Sequence, residues 1–96
     1  MATKVYSMPK FGLNGSNPEH VKDEFYEAWK KLTEARESLR VCTVNGRDYS
    51  PDEFREAVFQ KAEALASLED SIHYVEQVLM YITDYLEDPT GARRYL

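Results

Sequence analysis

The chain has 96 residues, with 17 Asp plus Glu against 12 Lys plus Arg and a formal net charge of −5. That length supports one hydrophobic core, and the acidic balance speaks against a general nucleic-acid binder, which needs a basic face to neutralise phosphates. Mean hydropathy is −0.60, no apolar run approaches the roughly 20 residues that span a bilayer, Met1-Ala2-Thr3-Lys4 opens no signal peptide, and Cys42 alone cannot close an intrachain disulfide. The expectation is an acidic, non-secreted, cytoplasmic chain without a membrane segment.

Residues 1–16 read as an extended N-terminal arm. Val5, Tyr6, Met8, Phe11 and Leu13 give it apolar content, Pro9, Gly12 and Gly15 break any helical period, and its only charges are Lys4 and Lys10. Asn17-Pro18-Glu19-His20 then opens a helix. Asn17 can accept from an orphan N–H, Pro18 suits the first helical position, and Glu19 complements the dipole. Val21, Phe25, Ala28, Trp29, Leu32, Ala35 and Leu39 follow at three- and four-residue steps, which predicts a helix over about residues 18–39.

Residues 41–49 change period. Val41, Cys42, Thr43 and Val44 are β-branched or small, and Asn45-Gly46 is the pair favoured in type I′ turns, so a short β-hairpin is expected, with an irregular loop as the alternative. Ser50-Pro51-Asp52-Glu53 is a capping box with proline at the first helical position. Behind it run Phe54, Val58, Leu65, Leu68, Ile72, Val75, Leu79, Ile82 and Leu86, a second helix over about residues 51–87, with Lys61 the one interruption. Its alkyl stem can lie on the surface with the ammonium in water. Asp88-Pro89-Thr90-Gly91 stops the helix, and residues 89–96 form a short basic tail. The fold class is therefore mainly α: an antiparallel two-helix hairpin over residues 17–88, flanked by the arm and the tail.

The two helices are unequal, about 33 Å and 55 Å long. If they start level at the connection, the first covers the second only up to about Ile72. Val75, Val78, Leu79, Ile82, Tyr85 and Leu86 would then present a bare apolar stripe, which monomers seldom keep. The arm, through Tyr6 and Phe11, or another subunit would have to cover it. The stretch between Ala62 and Ala92 holds seven acids and no Lys or Arg, so it favours a basic neighbour over its own copies. Tyr74, Tyr81 and Tyr85 border the stripe as core-boundary or contact residues. Arg93, Arg94, Tyr95 and Leu96 read as a loose end or as a docking peptide.

Little suggests chemistry. His20 and Cys42 fall at opposite ends of the first helix, roughly 30 Å apart by helical rise, so they make no nucleophile–base pair within one subunit. Cys42 reads as a small hydrophobe. Glu69 and His73 share a helix face, but the Glu-x-x-His logic of di-metal bundles needs the motif on two helices, and His73 reads as a solvated side chain. No phosphate loop or other cofactor motif occurs. The expectation is a non-enzymatic chain with no catalytic residue, metal or cofactor.

The order helix, then Thr43-Val44-Asn45-Gly46-Arg47, then Ser50 leading into a long helix resembles the small tailed-phage proteins of the gpW-like head-to-tail joining family, over residues 25–80. Thr43, Val44, Gly46, Arg47 and Ser50 carry the resemblance, and Arg93, Arg94 and Tyr95 are similar to the family's basic, aromatic-ended tail. The resemblance implies two helices joined by a β-hairpin and a structural role in the head–tail connector. The partners would be self-copies in a ring, or a larger portal or virion partner, in an infected host's cytoplasm or the virion. The second helix is longer than the family's, the hairpin is shorter and the arm is extra. The contact residues expected on this reading are Tyr6, Phe11, Val75, Val78, Leu79, Tyr81, Ile82, Tyr85, Arg93, Arg94, Tyr95 and Leu96. The alternative is a small acidic phage-type inhibitor of a host protein, using Glu69, Asp70, Glu76 and Asp84 to mimic nucleic acid or fill a basic groove.

Overall fold

The computed structural model describes residues 5–12 and 15–89. Two helices dominate, α1 over Pro18–Arg40 and α2 over Pro51–Glu87, with a single 3₁₀ turn at Gly46–Asp48 between them. Both begin where local chemistry dictates. The Asn17 side chain accepts the Glu19 N–H at 2.9 Å. Ser50 Oγ accepts the Glu53 N–H at 3.4 Å and donates to the Glu53 carboxylate at 3.0 Å. Both helices carry proline in the first turn, where its missing N–H costs nothing.

No strand forms among the described residues, which corrects the expected β-hairpin. A type I′ turn needs positive φ at both central residues, whereas Asn45 lies at φ −117°. Its side chain instead accepts the Arg47 N–H at 3.0 Å and caps the 3₁₀ turn. Asn45 thus satisfies a backbone donor that a hairpin ladder would have used. Gly46 lies beside the Phe54 ring, where an added Cβ would make an ordinary van der Waals contact at 3.7 Å. Tyr49 closes over the same ring at a centroid distance of 6.5 Å.

The connection sets the stagger of the helices, and here the sequence expectation fails. Lys61 Nζ donates to the carbonyls of Arg40 and Cys42 at 2.8 and 2.7 Å, so the end of α1 lies level with Lys61 rather than with the start of α2. Further along, Arg36 meets Glu69 and Trp29 meets Glu76. The level pairs sum to about 101–105, which carries Pro18 up to roughly residue 85 at 1.5 Å per residue on both helices. The C-terminal two-thirds of α2 is therefore covered, and its first ten residues, about 15 Å, run past α1 with, among the described residues, the folded-back connection beside them. Lys61 is no passive interruption. Its ammonium satisfies carbonyls that the end of α1 leaves without intrahelical partners.

The buried core follows from this stagger. It consists of Ile72, Val75, Val78 and Ile82, at 2%, 6%, 2% and 0% exposure, all on α2; no α1 residue is fully buried. Val75, Val78 and Ile82, expected to lie bare, are thus in the core, and Leu79, Tyr85 and Leu86 are half-buried. Val58, assigned to the covered stripe, is 48% exposed, and Ala28 and Ala35 of α1 also face solvent.

The arm completes the cover within the same chain. Tyr6 packs on His73 and Tyr74 at 5.8 and 5.2 Å between ring centroids, and Phe11 on Tyr85 at 5.1 Å. Five extended residues span about 17 Å, and the eleven helical residues from Tyr74 to Tyr85 rise the same distance. The arm therefore runs alongside α2 and parallel to it before the chain turns back into α1. The molecule measures 59 × 27 × 22 Å with a radius of gyration of 18.8 Å, against about 12.5 Å for a compact globule of this length. The long axis is essentially α2.

Candidate contact surfaces

The two flanks of the helix pair differ. On one, Tyr6 of the arm sits with Leu32, Asp70, Ser71, Tyr74 and Val75. On the other, Tyr26, Trp29, Glu76, Leu79 and Met80 line an open groove of about 290 Å³. At 100° per residue, Glu76 and Met80 lie well round the helix from Tyr74 and Tyr81, so the ring contacts of Tyr6 and Phe11 fall away from this groove.

The groove is apolar and built on rigid elements. Tyr26 and Trp29, three apart on α1, stack at 5.9 Å with 29° between their planes. Trp29 Nε1 donates to Glu76 Oε2 at 3.0 Å, fixing the indole across the helix interface. Tyr26 stays 50% and Met80 60% exposed. An aromatic pair with a polarisable methionine opposite suits an apolar or aromatic side chain of a partner. Tyr26 and Met80 were missed in the sequence because both lie just off the core stripe of their helices; only their stagger brings them together.

A second exposed apolar surface lies on the first turns of α2, where Phe59 is 64% and Val58 48% exposed. Phe59 borders shallow depressions with Asp52, Arg55 and Glu56.

The residues expected to make contacts separate into three groups. Val75, Val78 and Ile82 are interior and offer no surface in this fold. Tyr6, Phe11, Leu79, Tyr81 and Tyr85 are half-buried, Tyr6 and Phe11 as the cis cover and Leu79 at the floor of the groove. Arg93, Arg94, Tyr95 and Leu96, like Leu13 of the arm, lie outside the described residues.

The acids are partly committed to the fold. Arg36 Nη1 donates to Glu69 Oε1 at 2.9 Å, and Glu76 holds Trp29. Two of the four acids of the inhibitor reading thus serve the helix interface, while Asp70 and Asp84 face solvent. His20 and Cys42 lie at opposite ends of the 23-residue α1. Cys42 is exposed, with its thiol 3.4 Å from the Ser38 carbonyl, rather than on a strand as expected. His73 is exposed beside Tyr6. Among the described residues no group of three His, Cys, Asp or Glu is placed to hold a metal ion. No described helix is long and apolar enough to cross a membrane.

Compared with protein-family models, with curated proteins and with solved structures, the chain has no significant match in any of the three.

Proposed function

We propose that this chain is a non-enzymatic assembly module that works through protein–protein contacts. The observation that carries this reading is the groove of Tyr26, Trp29, Leu79 and Met80. It leaves large apolar side chains in water on a molecule of whose described residues only four are buried, and large exposed apolar surface is the usual mark of an interaction site. In its finer form the reading is a phage head–tail connector or virion adaptor, whose partners are a portal-like ring or further copies. Support for that form is the resemblance at Thr43, Val44, Gly46, Arg47 and Ser50 and the helix–connection–helix order.

The test is the mass of the assembly in native mass spectrometry or sedimentation, for the chain alone and with a portal-like ring. The expected result is a complex with the ring that the double variant Tyr26→Glu, Met80→Glu abolishes. Both positions are exposed, so the variant should keep the helical circular dichroism of the parent. A chain that stays at single-copy mass alone and with the ring would overturn the proposal. Binding that the double variant leaves intact would remove the groove from it.

A further inference from the structure

The first turns of α2 present a face that, among the described residues, α1 meets only at its far end, where Arg36 binds Glu69. Measured from Ala62, the positions three, four and seven residues away on either side share one side of the helix. They are Phe59 and Leu65, Val58 and Ala66, and Arg55 and Glu69. Phe59 is 64% and Val58 48% exposed, Ala62 and Ala66 face solvent and Leu65 is half-buried. Arg55 makes no ion pair among the described residues, while Glu69 is 53% exposed even with Arg36 bound.

This pattern is self-complementary when read backwards. Turned end for end about Ala62, a second α2 brings its Val58 level with Ala66 and its Phe59 level with Leu65, one residue from Ala66, so that bulk meets small side chains. It also brings Arg55 level with Glu69 on both sides. A parallel pairing in register would instead set Arg55 against Arg55 and Glu69 against Glu69, and like-charge juxtaposition is strongly disfavoured. The same reversal sends residues 51–60, the part without cover, onto residues 64–73 of the other copy, the part that α1 backs.

We infer that two copies of this chain pair antiparallel through α2, with a twofold axis at Ala62. The inference deepens the assembly reading and rests on it, but it uses a different surface from the groove. The contact is isologous and closed, so it makes dimers and does not propagate. It spans about 22 residues of one helix per copy, on the order of 1,000 Å² in total, at the low end for specific interfaces. The pairing is therefore concentration-dependent, with micromolar or weaker affinity.

The axis position gives a sharp test in the full chain. On a Cys42→Ser background, Ala62→Cys places two thiols across the twofold, whereas Ser67→Cys, exposed but 140° away around the helix, does not. Sedimentation equilibrium of the parent should show mass rising from one to two copies with concentration. Phe59→Glu should raise the dissociation constant at least ~30-fold, as loss of a central aromatic anchor does. Under mild oxidation with diamide, Ala62→Cys should cross-link at least tenfold faster than Ser67→Cys. Single-copy mass at millimolar concentration, or equal cross-linking at the two positions, would overturn the inference. If ring binding through Tyr26 and Met80 persists in a chain that never dimerises, self-pairing alone falls. If dimers form but no ring is bound, only the partner reading falls.

Discussion

Replacing Ile82 by alanine distinguishes the observed stagger from the one that helix lengths alone suggest. Ile82 is 0% exposed in the described fold, although it lies beyond the point where a level start of the two helices would end their contact. Removing three carbons forfeits about 2.4 kcal/mol of transfer free energy at about 0.8 per methylene, and incomplete collapse of the site brings the cost to roughly 3–4 kcal/mol. For a domain of this size each kcal/mol shifts the midpoint by about 4–8 °C, so Tm should fall by roughly 12–30 °C. Urea and thermal unfolding followed by far-ultraviolet circular dichroism measure this, with Val58→Ala as the internal comparison. Val58 is half exposed on the free turns of α2, and its truncation should change monomer stability by less than about 0.5 kcal/mol. An Ile82→Ala variant that loses under 1 kcal/mol, or a Val58→Ala variant that loses as much, would refute the stagger and return the bare stripe to the far end of α2.

Three other outcomes follow from named contacts. Lys61→Met keeps the alkyl stem but removes both hydrogen bonds to Arg40 and Cys42; a loss of about 1–2 kcal/mol is expected, with faster amide exchange in the last turn of α1 and in the connection. Glu76→Ala leaves the part-buried Trp29 N–H without its acceptor and should cost about 1–2 kcal/mol; because Trp29 is the only tryptophan, its fluorescence reports the change directly, and an unaltered spectrum would argue against the contact. Tyr6→Ala removes the ring that covers His73 and Tyr74, and a loss of about 1 kcal/mol should accompany protease sensitivity in residues 5–12 but not in α1.

The helix limits were legible because their signals are local. Asn17-Pro18 and Ser50-Pro51-Asp52-Glu53 act within one turn through hydrogen bonds a few residues long, and the observed helices begin at Pro18 and Pro51 as the sequence predicts. The connection was misread for the same local reason. Asn45-Gly46 is compatible with a hairpin and with a capped 3₁₀ turn, and an isolated two-stranded hairpin is marginal in water. The Phe54 ring beside Gly46 and the Lys61 ammonium beneath Arg40 settle it, and both belong to α2 rather than to the connection. Lys61 looked like an error in the apolar stripe because its partners are backbone carbonyls, which leave no trace in a side-chain pattern.

The candidate site was less legible than the fold. The core stripe of α2 could be read from its spacing, but Tyr26 and Met80 belong to different helices, both lie outside the stripes, and no single-helix periodicity joins them. The charge asymmetry was plain in the sequence. Its meaning changed once Glu69 and Glu76 proved to be held by Arg36 and Trp29, since two of the four acids then take part in the helix interface and the four do not form one unengaged acidic array.

By itself the sequence determined two long helices, their ends, their apolar faces and an arm with aromatic residues, all properties set by interactions within a few residues of chain. Tertiary structure decided how far one helix slides along the other. That offset depends on where a ten-residue connection finds partners, and a shift of ten residues along α2 moves the covered region by about 15 Å. The slide determines that Ile72, Val75, Val78 and Ile82 form the core, that the arm covers their flank in the same chain, and that Phe59 and the Tyr26–Met80 groove are left facing water.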